Sequence, residues 1–268
     1  LLVVIVAVAA YLAFRRLAPV LQGSGCRAAA GSASYSLDPE QASIAATIAG
    51  VAHKRSLPTA AVTIAYAAAL QESKMHNLHY GDMDSVGVFQ QRPSEGWGPR
   101  SELEDPVYAT AKFFGVLIKV HNYLKLPVYQ AAQAVQHSAD GGAYIQYEQT
   151  AARLAAIFTG EHAHAVSCWS DTAPKKQVNF AAADQELART FGPIPIAGTG
   201  EAAGRQQDRL RVPQSPVGWA VASWLVTHAA SYGIRDVRYG GYQWQVSTGF
   251  HGWTKDSGAP PAGVVQLG

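Results

Sequence analysis

The stretch Pro58 to Ser73, PTAAVTIAYAAALQES, constrains this chain more than any other. It is alanine-rich, opens on proline and reads as a helix. Its only charged side chain, Glu72, stands at the far end. On a helical projection Glu72 shares a face with Ala68, Ala65, Ile64 and Ala61, at separations of four, seven, eight and eleven residues. That face is apolar, so the carboxyl group is expected at the rim of a core-facing stripe. Burial and the negative end of the helix dipole both disfavour a carboxylate there, which places the group to keep a proton. Such a glutamate is either an accident of a frayed terminus or a general acid.

The helical pattern extends on both sides. DPEQASIAATIAGVAHKRSL offers Asp38 as N-cap and Pro39 at the first helical position. DPVYATAKFFGVLIKVHNYL repeats the Asp-Pro start, and PVYQAAQAVQHSA and GAYIQYEQTAARLAAIFTG complete five helices. Between the second and third lies a polar, glycine-rich loop, Met75 to Arg100, too long to be a mere connection. No strand longer than three or four residues is evident before Cys168. Past Ser170 the character changes. SPVGWAVASWLVTHAASYG reads as a helix, IRDVRYGGYQWQV as a hairpin turning at Gly240-Gly241, and GVVQL as an edge or closing strand.

The expected fold class is therefore a mainly α domain, residues 38–168, followed by a small α+β domain, residues 169–268, with an irregular connection over 192–215. Trp219, Trp224 and Trp244 are expected in the core of the second domain and Trp253 in an exposed loop. The first residues, LLVVIVAVAAYLAF closed by Arg15 and Arg16, are expected to be the remnant of a membrane anchor over 1–16, leading into a linker over 17–37. Fourteen helical residues rise only about 21 Å, against roughly 30 Å of hydrocarbon, which implies a truncated span. The formal charge is +2, without the dense basic stripe that nucleic acid requires.

Cys26 and Cys168 are the only cysteines. Two cannot supply a four-ligand zinc site, whereas one disulfide closing the first domain fits an exported chain. The nine histidines form no His-Glu-x-x-His motif. DMDSVG imitates the start of a calcium loop, but Val86 takes a ligand position and Pro93 stands where the closing glutamate belongs. No metal and no cofactor is expected.

ALQESKMHNLHYGDMDSVGVFQQRPSEGWG, Ala69 to Gly98, resembles the goose-type lysozyme and soluble lytic transglycosylase superfamily, where a Glu-Ser pair precedes a Ser-x-Gly-x-x-Gln segment. Closer still is the lysozyme-like domain of membrane-anchored actinobacterial cell-wall proteins, over roughly Cys26 to Cys168. The resemblance implies a lysozyme-like fold, with Glu72 as catalytic acid and peptidoglycan glycan strands as substrate. Asp82 and Asp84 are the candidates for a second carboxylate. Ser85, Gly87, Gln90, Gln91, Arg92 and Trp97 become candidate substrate contacts, each with an alternative role in fixing the loop. Tyr144 and Tyr147 belong to the region that supplies a late helix beside the cleft, and both are candidate substrate contacts, Tyr144 before Tyr147.

In the transglycosylases the segment before that helix often reads Tyr-Asn-Ala-Gly, where this chain has QHSADGG, Gln136 to Gly142. The C-terminal VGWAVASWLVTHAASYGIRDVRYGGYQWQV resembles a small domain that follows wall-hydrolase modules in actinobacterial secreted proteins, which implies an assisting role or an envelope protein partner. The reading that follows is a membrane-tethered, extracytoplasmic lytic transglycosylase using one glutamate. The alternatives are a hydrolase of goose-type chemistry and a noncatalytic scaffold of an envelope secretion or conjugation machine.

Overall fold

The computed structural model describes residues 4, 6, 23–138, 141–170, 177–202, 205–213 and 216–268. Almost all of the expected anchor lies outside them, and so does the part of the expected linker before Gly23. Among the described residues no helix is long and apolar enough to cross a membrane. The expectation of a mainly α domain behind a membrane-spanning helix is overturned, because the chain builds two antiparallel sheets, one of three strands and one of six.

The first sheet starts where a linker was expected. β1 (Gly25–Ala30) and β2 (Ala33–Leu37) form a hairpin, and β3 (Val166–Trp169) pairs with the other edge of β1. GCRAAA and ASYSL hold mostly small residues with little strand preference of their own. Two things that a local pattern does not show secure them. The two-residue turn places Gly31 at φ +58°, as a primed hairpin turn requires. Cys26 lies opposite Cys168 on β3, and their sulfurs are bonded across a separation of 142 residues.

Six helices follow before β3. α1 (Pro39–Lys54) begins with a complete capping box, in which Asp38 accepts from Gln41 N and the Gln41 side chain accepts from Asp38 N. α2 (Thr59–Ser73) is the pivot. Every side chain from Ala61 to Ala69 is buried, so it is covered all round rather than on one stripe. α3 (Arg100–Leu103) is one turn, α4 (Pro106–Leu117) is capped by Asp105, and α5 (Val128–Gln136) and α6 (Glu148–Phe158) close around α2.

The second half also departs from expectation. α7 (Phe180–Phe191) is followed by β4 (Ile196–Ala202) and β5 (Arg205–Arg211), a hairpin where an irregular connection over 192–215 was expected. α8 (Val217–Tyr232), β6 (Asp236–Tyr239), β7 (Tyr242–Gln245), β8 (Thr254–Lys255) and β9 (Val264–Leu267) complete the chain. The sheet order is β4-β5-β9-β6-β7-β8, so β9 is an interior strand and not an edge. It pairs with the edge of β5, polar RQQDRLR, that β4 leaves open.

The two halves share one continuous set of buried apolar side chains, from Ala28 to Leu267, and α1 packs on α8. The boundary expected after residue 168 falls within β3. Trp244 Nε1 donates to Cys168 O at 3.0 Å, and the Ser167 hydroxyl donates to Gly249 O at 2.5 Å. Trp219, Trp224 and Trp244 are buried. Trp253, expected exposed, is half-buried: its indole donates to Val166 O at 2.7 Å and its ring meets Trp219 edge-on at 5.4 Å.

Replacing both cysteines by alanine should lower unfolding free energy by about 4–5 kcal/mol, the loop-entropy value for so long a closed loop, read as a shift in the urea midpoint. A pH effect is also expected. His228 stacks on Trp224 at 4.0 Å, and burial pushes its imidazole down to about 4, partly offset by a hydrogen bond with Trp224 O. The unfolded chain therefore takes up the proton first, so this contribution is intact above about pH 6.5 and is lost as pH falls towards 4. His228→Gln should flatten the fall in urea midpoint between pH 7 and 4.5.

Candidate functional site

α2 loses its cover at its C-terminus, and Glu72 emerges there half-buried. Two consecutive left-handed residues, Lys74 at φ 56° and Met75 at φ 65°, end the helix sharply, and both Lys74 N and Met75 N return to Ala69 O. Non-glycine residues rarely take this conformation, and they persist where surrounding contacts over-determine them. Met75 is completely buried, which supplies such contacts. The Ser73 hydroxyl donates to Val88 O at 2.7 Å and accepts from His76 N at 3.1 Å, fastening the helix end to the loop.

The hydroxyl of Tyr144 donates to Glu72 Oε1 at 2.7 Å. Tyr144 is wholly buried, just ahead of a short 3-10 turn over Ile145–Tyr147. Its phenol is pushed far above its ordinary value, first by burial and then by its hydrogen bond to Glu72 and the charge there, while a hydrogen bond with the Ser138 side chain acts in the other direction. At neutral pH the phenol therefore keeps its proton and remains a donor. The consequence for Glu72 is geometric: Oε1 is committed as an acceptor, so a proton carried by this carboxyl sits on Oε2.

The loop is held from within. Val86 and Gln91 exchange both backbone hydrogen bonds at 3.1 Å, enclosing Gly87 to Gln90 in a tight turn. At its tip Phe89 is buried and stacks on Phe113 of α4 with ring centroids 4.6 Å apart. Gly87 has φ +77°, and a Cβ there would meet Leu103 O at 2.3 Å. Gln90, also left-handed at φ 46°, donates to Gly87 O at 3.1 Å and Tyr80 O at 3.3 Å. Gln91 is 2% exposed and donates to Ala109 O at 3.3 Å, so its amide faces α4. Ser85 is buried and its backbone N–H donates to Asp82 O.

The two aspartates separate. Asp82 is exposed. Asp84 accepts from Ser94 N at 2.8 Å, Arg92 Nε at 2.9 Å and the Ser94 hydroxyl at 2.9 Å. These donors, the Ser94 backbone first, hold its carboxyl at about 2, well below the carboxylate range. Arg92 also donates to Glu95 Oε1 at 2.5 Å. Asp84 and Arg92 thus form a clamp closing the base of the loop. Tyr147 accepts from Lys74 Nζ, whose ammonium also lies 4.7 Å from the Tyr147 ring centroid. Trp97 is half-buried on the wall of a separate groove.

Of the residues picked out in the sequence, the structure joins Glu72 with Tyr144 and Asp84 with Arg92, and turns Gln91 inward. It adds Ser138, Ser94 and Lys74, which sequence reasoning passed over. Their signal was position alone: Ser138 lies inside QHSADGG, Ser94 inside RPSEGWG, and Lys74 directly after Glu72-Ser73. Within QHSADGG, residues 139 and 140 lie outside the described residues. No protein-family model matches this sequence, and no curated protein is similar to it.

Gly87→Ala is expected to destabilise the protein by about 2 kcal/mol or more, since it strains the backbone and drives a methyl into a carbonyl oxygen. Thermal unfolding would show it as a clear drop in midpoint.

Proposed function

We propose that the protein cleaves the MurNAc-β-1,4-GlcNAc bond of peptidoglycan as a lytic transglycosylase, with Glu72 as its single acid and base. The observation that carries this reading is the hydrogen bond from buried Tyr144 to Glu72 Oε1, which leaves the second carboxyl oxygen to handle a proton. The sequence resemblance of Ala69 to Gly98 to goose-type lysozymes and lytic transglycosylases supports the substrate class.

A glycosidic oxygen leaves poorly unless protonated. Glu72 Oε2 gives its proton to the bridging O4 as the C1–O4 bond of MurNAc breaks, and the neighbouring N-acetyl oxygen covers the developing charge at C1. The ionised Glu72 then takes the proton of the MurNAc 6-hydroxyl as O6 attacks C1. A 1,6-anhydro ring forms, water is not consumed, and the acid is restored. Tyr144 keeps the same oxygen of Glu72 engaged throughout, so the carboxyl does not rotate between the two proton transfers.

The single-acid route is favoured over goose-type hydrolysis by Asp84. A carboxylate that already accepts from Arg92 and twice from Ser94 is a poor base for water. Asp82 is exposed. An extracytoplasmic location is part of the proposal, since the Cys26–Cys168 disulfide suits an oxidising compartment.

Digestion of purified sacculi followed by mass spectrometry of the released muropeptides tests the proposal. Products ending in 1,6-anhydro-MurNAc are expected, and an entirely reducing product set would replace the transglycosylase by a hydrolase. Glu72→Gln should abolish release while leaving the thermal midpoint within a few degrees. Equal background release by the two proteins, with both retained on sacculi, would make the protein a scaffold. Tyr144→Phe should lower kcat by about 10–100-fold, equivalent to roughly 1.4–2.7 kcal/mol, with KM little changed.

A further inference from the structure

One concave surface is lined by His137, the neighbour in sequence of Ser138. It is a groove of about 420 Å³ between the 95–97 segment, the outer face of α4 and the C-terminal end of α5. Trp97 gives it a flat aromatic wall, and Val116 and Val135 supply apolar surface. Lys112 and Lys119 bring its cationic groups, and His137 also lines it.

Its charge is unbalanced. Glu95 is the one acid lining it, and Glu95 is already engaged by Arg92. Among the described residues neither Lys112 nor Lys119 pairs with a carboxylate. Lys112 instead lies over the ring of Tyr108, 5.0 Å from its centroid. Tyr108 in turn is fixed against the backbone of Gly98, where even a methyl group would meet its hydroxyl at 2.5 Å. Lys112 is thus positioned by a ring and keeps its charge uncompensated, in a chain whose overall formal charge is only +2.

The groove is tied to the candidate acid through consecutive residues. His137, left-handed at φ 52°, lines the groove. Ser138, the next residue, has its side chain hydrogen-bonded with Tyr144, which holds Glu72. Adjacent Cα atoms lie about 3.8 Å apart, so the lining of the groove and the contacts of the Glu72–Tyr144 pair meet at neighbouring residues. The Gln136 amide donates to Phe89 O at 2.8 Å and fastens that segment to the loop tip.

We propose that this groove is a subsite for the carboxylate-bearing peptide stems of peptidoglycan, with Lys112 and Lys119 meeting the carboxylates and Trp97 covering the apolar part of the stem. The inference rests on the glycan-cleaving reading for its choice of ligand. A peptide stem branches from the lactyl group of MurNAc, the sugar whose bond Glu72 would break, so a substrate seated at Glu72 carries its carboxylates into the neighbourhood of the groove. Two ammonium groups that pair with no carboxylate among the described residues, beside an aromatic wall, suit a short acidic peptide better than a neutral sugar.

The test measures binding by calorimetry in the Glu72→Gln background, so that nothing is turned over. The ligands are a peptide-bearing muropeptide, the same glycan stripped of its stem, the free stem peptide, and inorganic phosphate. Lys112→Gln/Lys119→Gln is expected to weaken binding of the peptide-bearing ligand and the free stem at least tenfold and to leave the stripped glycan unaffected. Equal loss for all ligands, or no loss for the stem, overturns the inference. Lysine-dependent binding of phosphate without binding of the stem also overturns it and assigns the groove to a phosphate-bearing wall polymer.

Failure of the functional reading looks different. It would appear as no Glu72-dependent release from sacculi, whereas the free stem would still report on the groove. Circular dichroism melts of the double variant show whether it is folded, and Lys112→Arg/Lys119→Arg, which keeps both charges, should restore most of the affinity.

Discussion

The complete enclosure of α2 is the constraint on which the rest depends. A helix with buried side chains on every side cannot tilt or slide without disturbing α1, α5 and α6 together. Its alanines allow that closeness, and Tyr66, buried among them, satisfies its hydroxyl on Ala45 O of α1 at 2.6 Å. The helix acts as a rigid post. Where its cover ends, the first charged side chain appears, and its position is inherited from the whole core rather than from a flexible loop.

The loop that follows is built in the same spirit. Phe89 is driven into the core, Val86 and Gln91 close the turn behind it, and Asp84 with Arg92 and Ser94 ties its base. Three left-handed non-glycine residues, Lys74, Met75 and Gln90, are held where they stand by these contacts. A polar, glycine-rich sequence that looks mobile on paper is therefore pinned at both ends and in the middle. The candidate acid and the cationic groove inherit that order from the same short segment at the end of α5.

What the sequence disclosed follows from how local each feature is. The N-cap at Asp38, the helices from Pro39 to Ser73 and the hairpin at Gly240-Gly241 are written within a few residues of where they act, and they were readable. β1, β2, β4 and β5 were not. Their residues are small or polar, β2 and β4 pair only within their own hairpins, and each hairpin joins its sheet through a distant strand: β3 for β1, and β9 for β5. The mainly α expectation failed for that reason. Trp253 was misjudged because its partner, the Val166 carbonyl, lies 87 residues earlier. Around Glu72 the helical projection identified neighbours along one face, while burial all round gave that face no special standing. Tyr144 was brought into the neighbourhood by the resemblance alone, and Ser138 was marked only by its position inside QHSADGG.

The bond between Cys26 and Cys168 has a further consequence. It encloses the helices and the loop in a covalent ring, with both cysteines on paired strands. A peptidase that nicks the exposed turn around Tyr80 to Met83 would open that ring without releasing either piece. The severed ends would remain held by Phe89 on one side and the buried helix on the other. In surroundings rich in proteases, a molecule cut at this exposed turn stays in one part until a reductant reaches it.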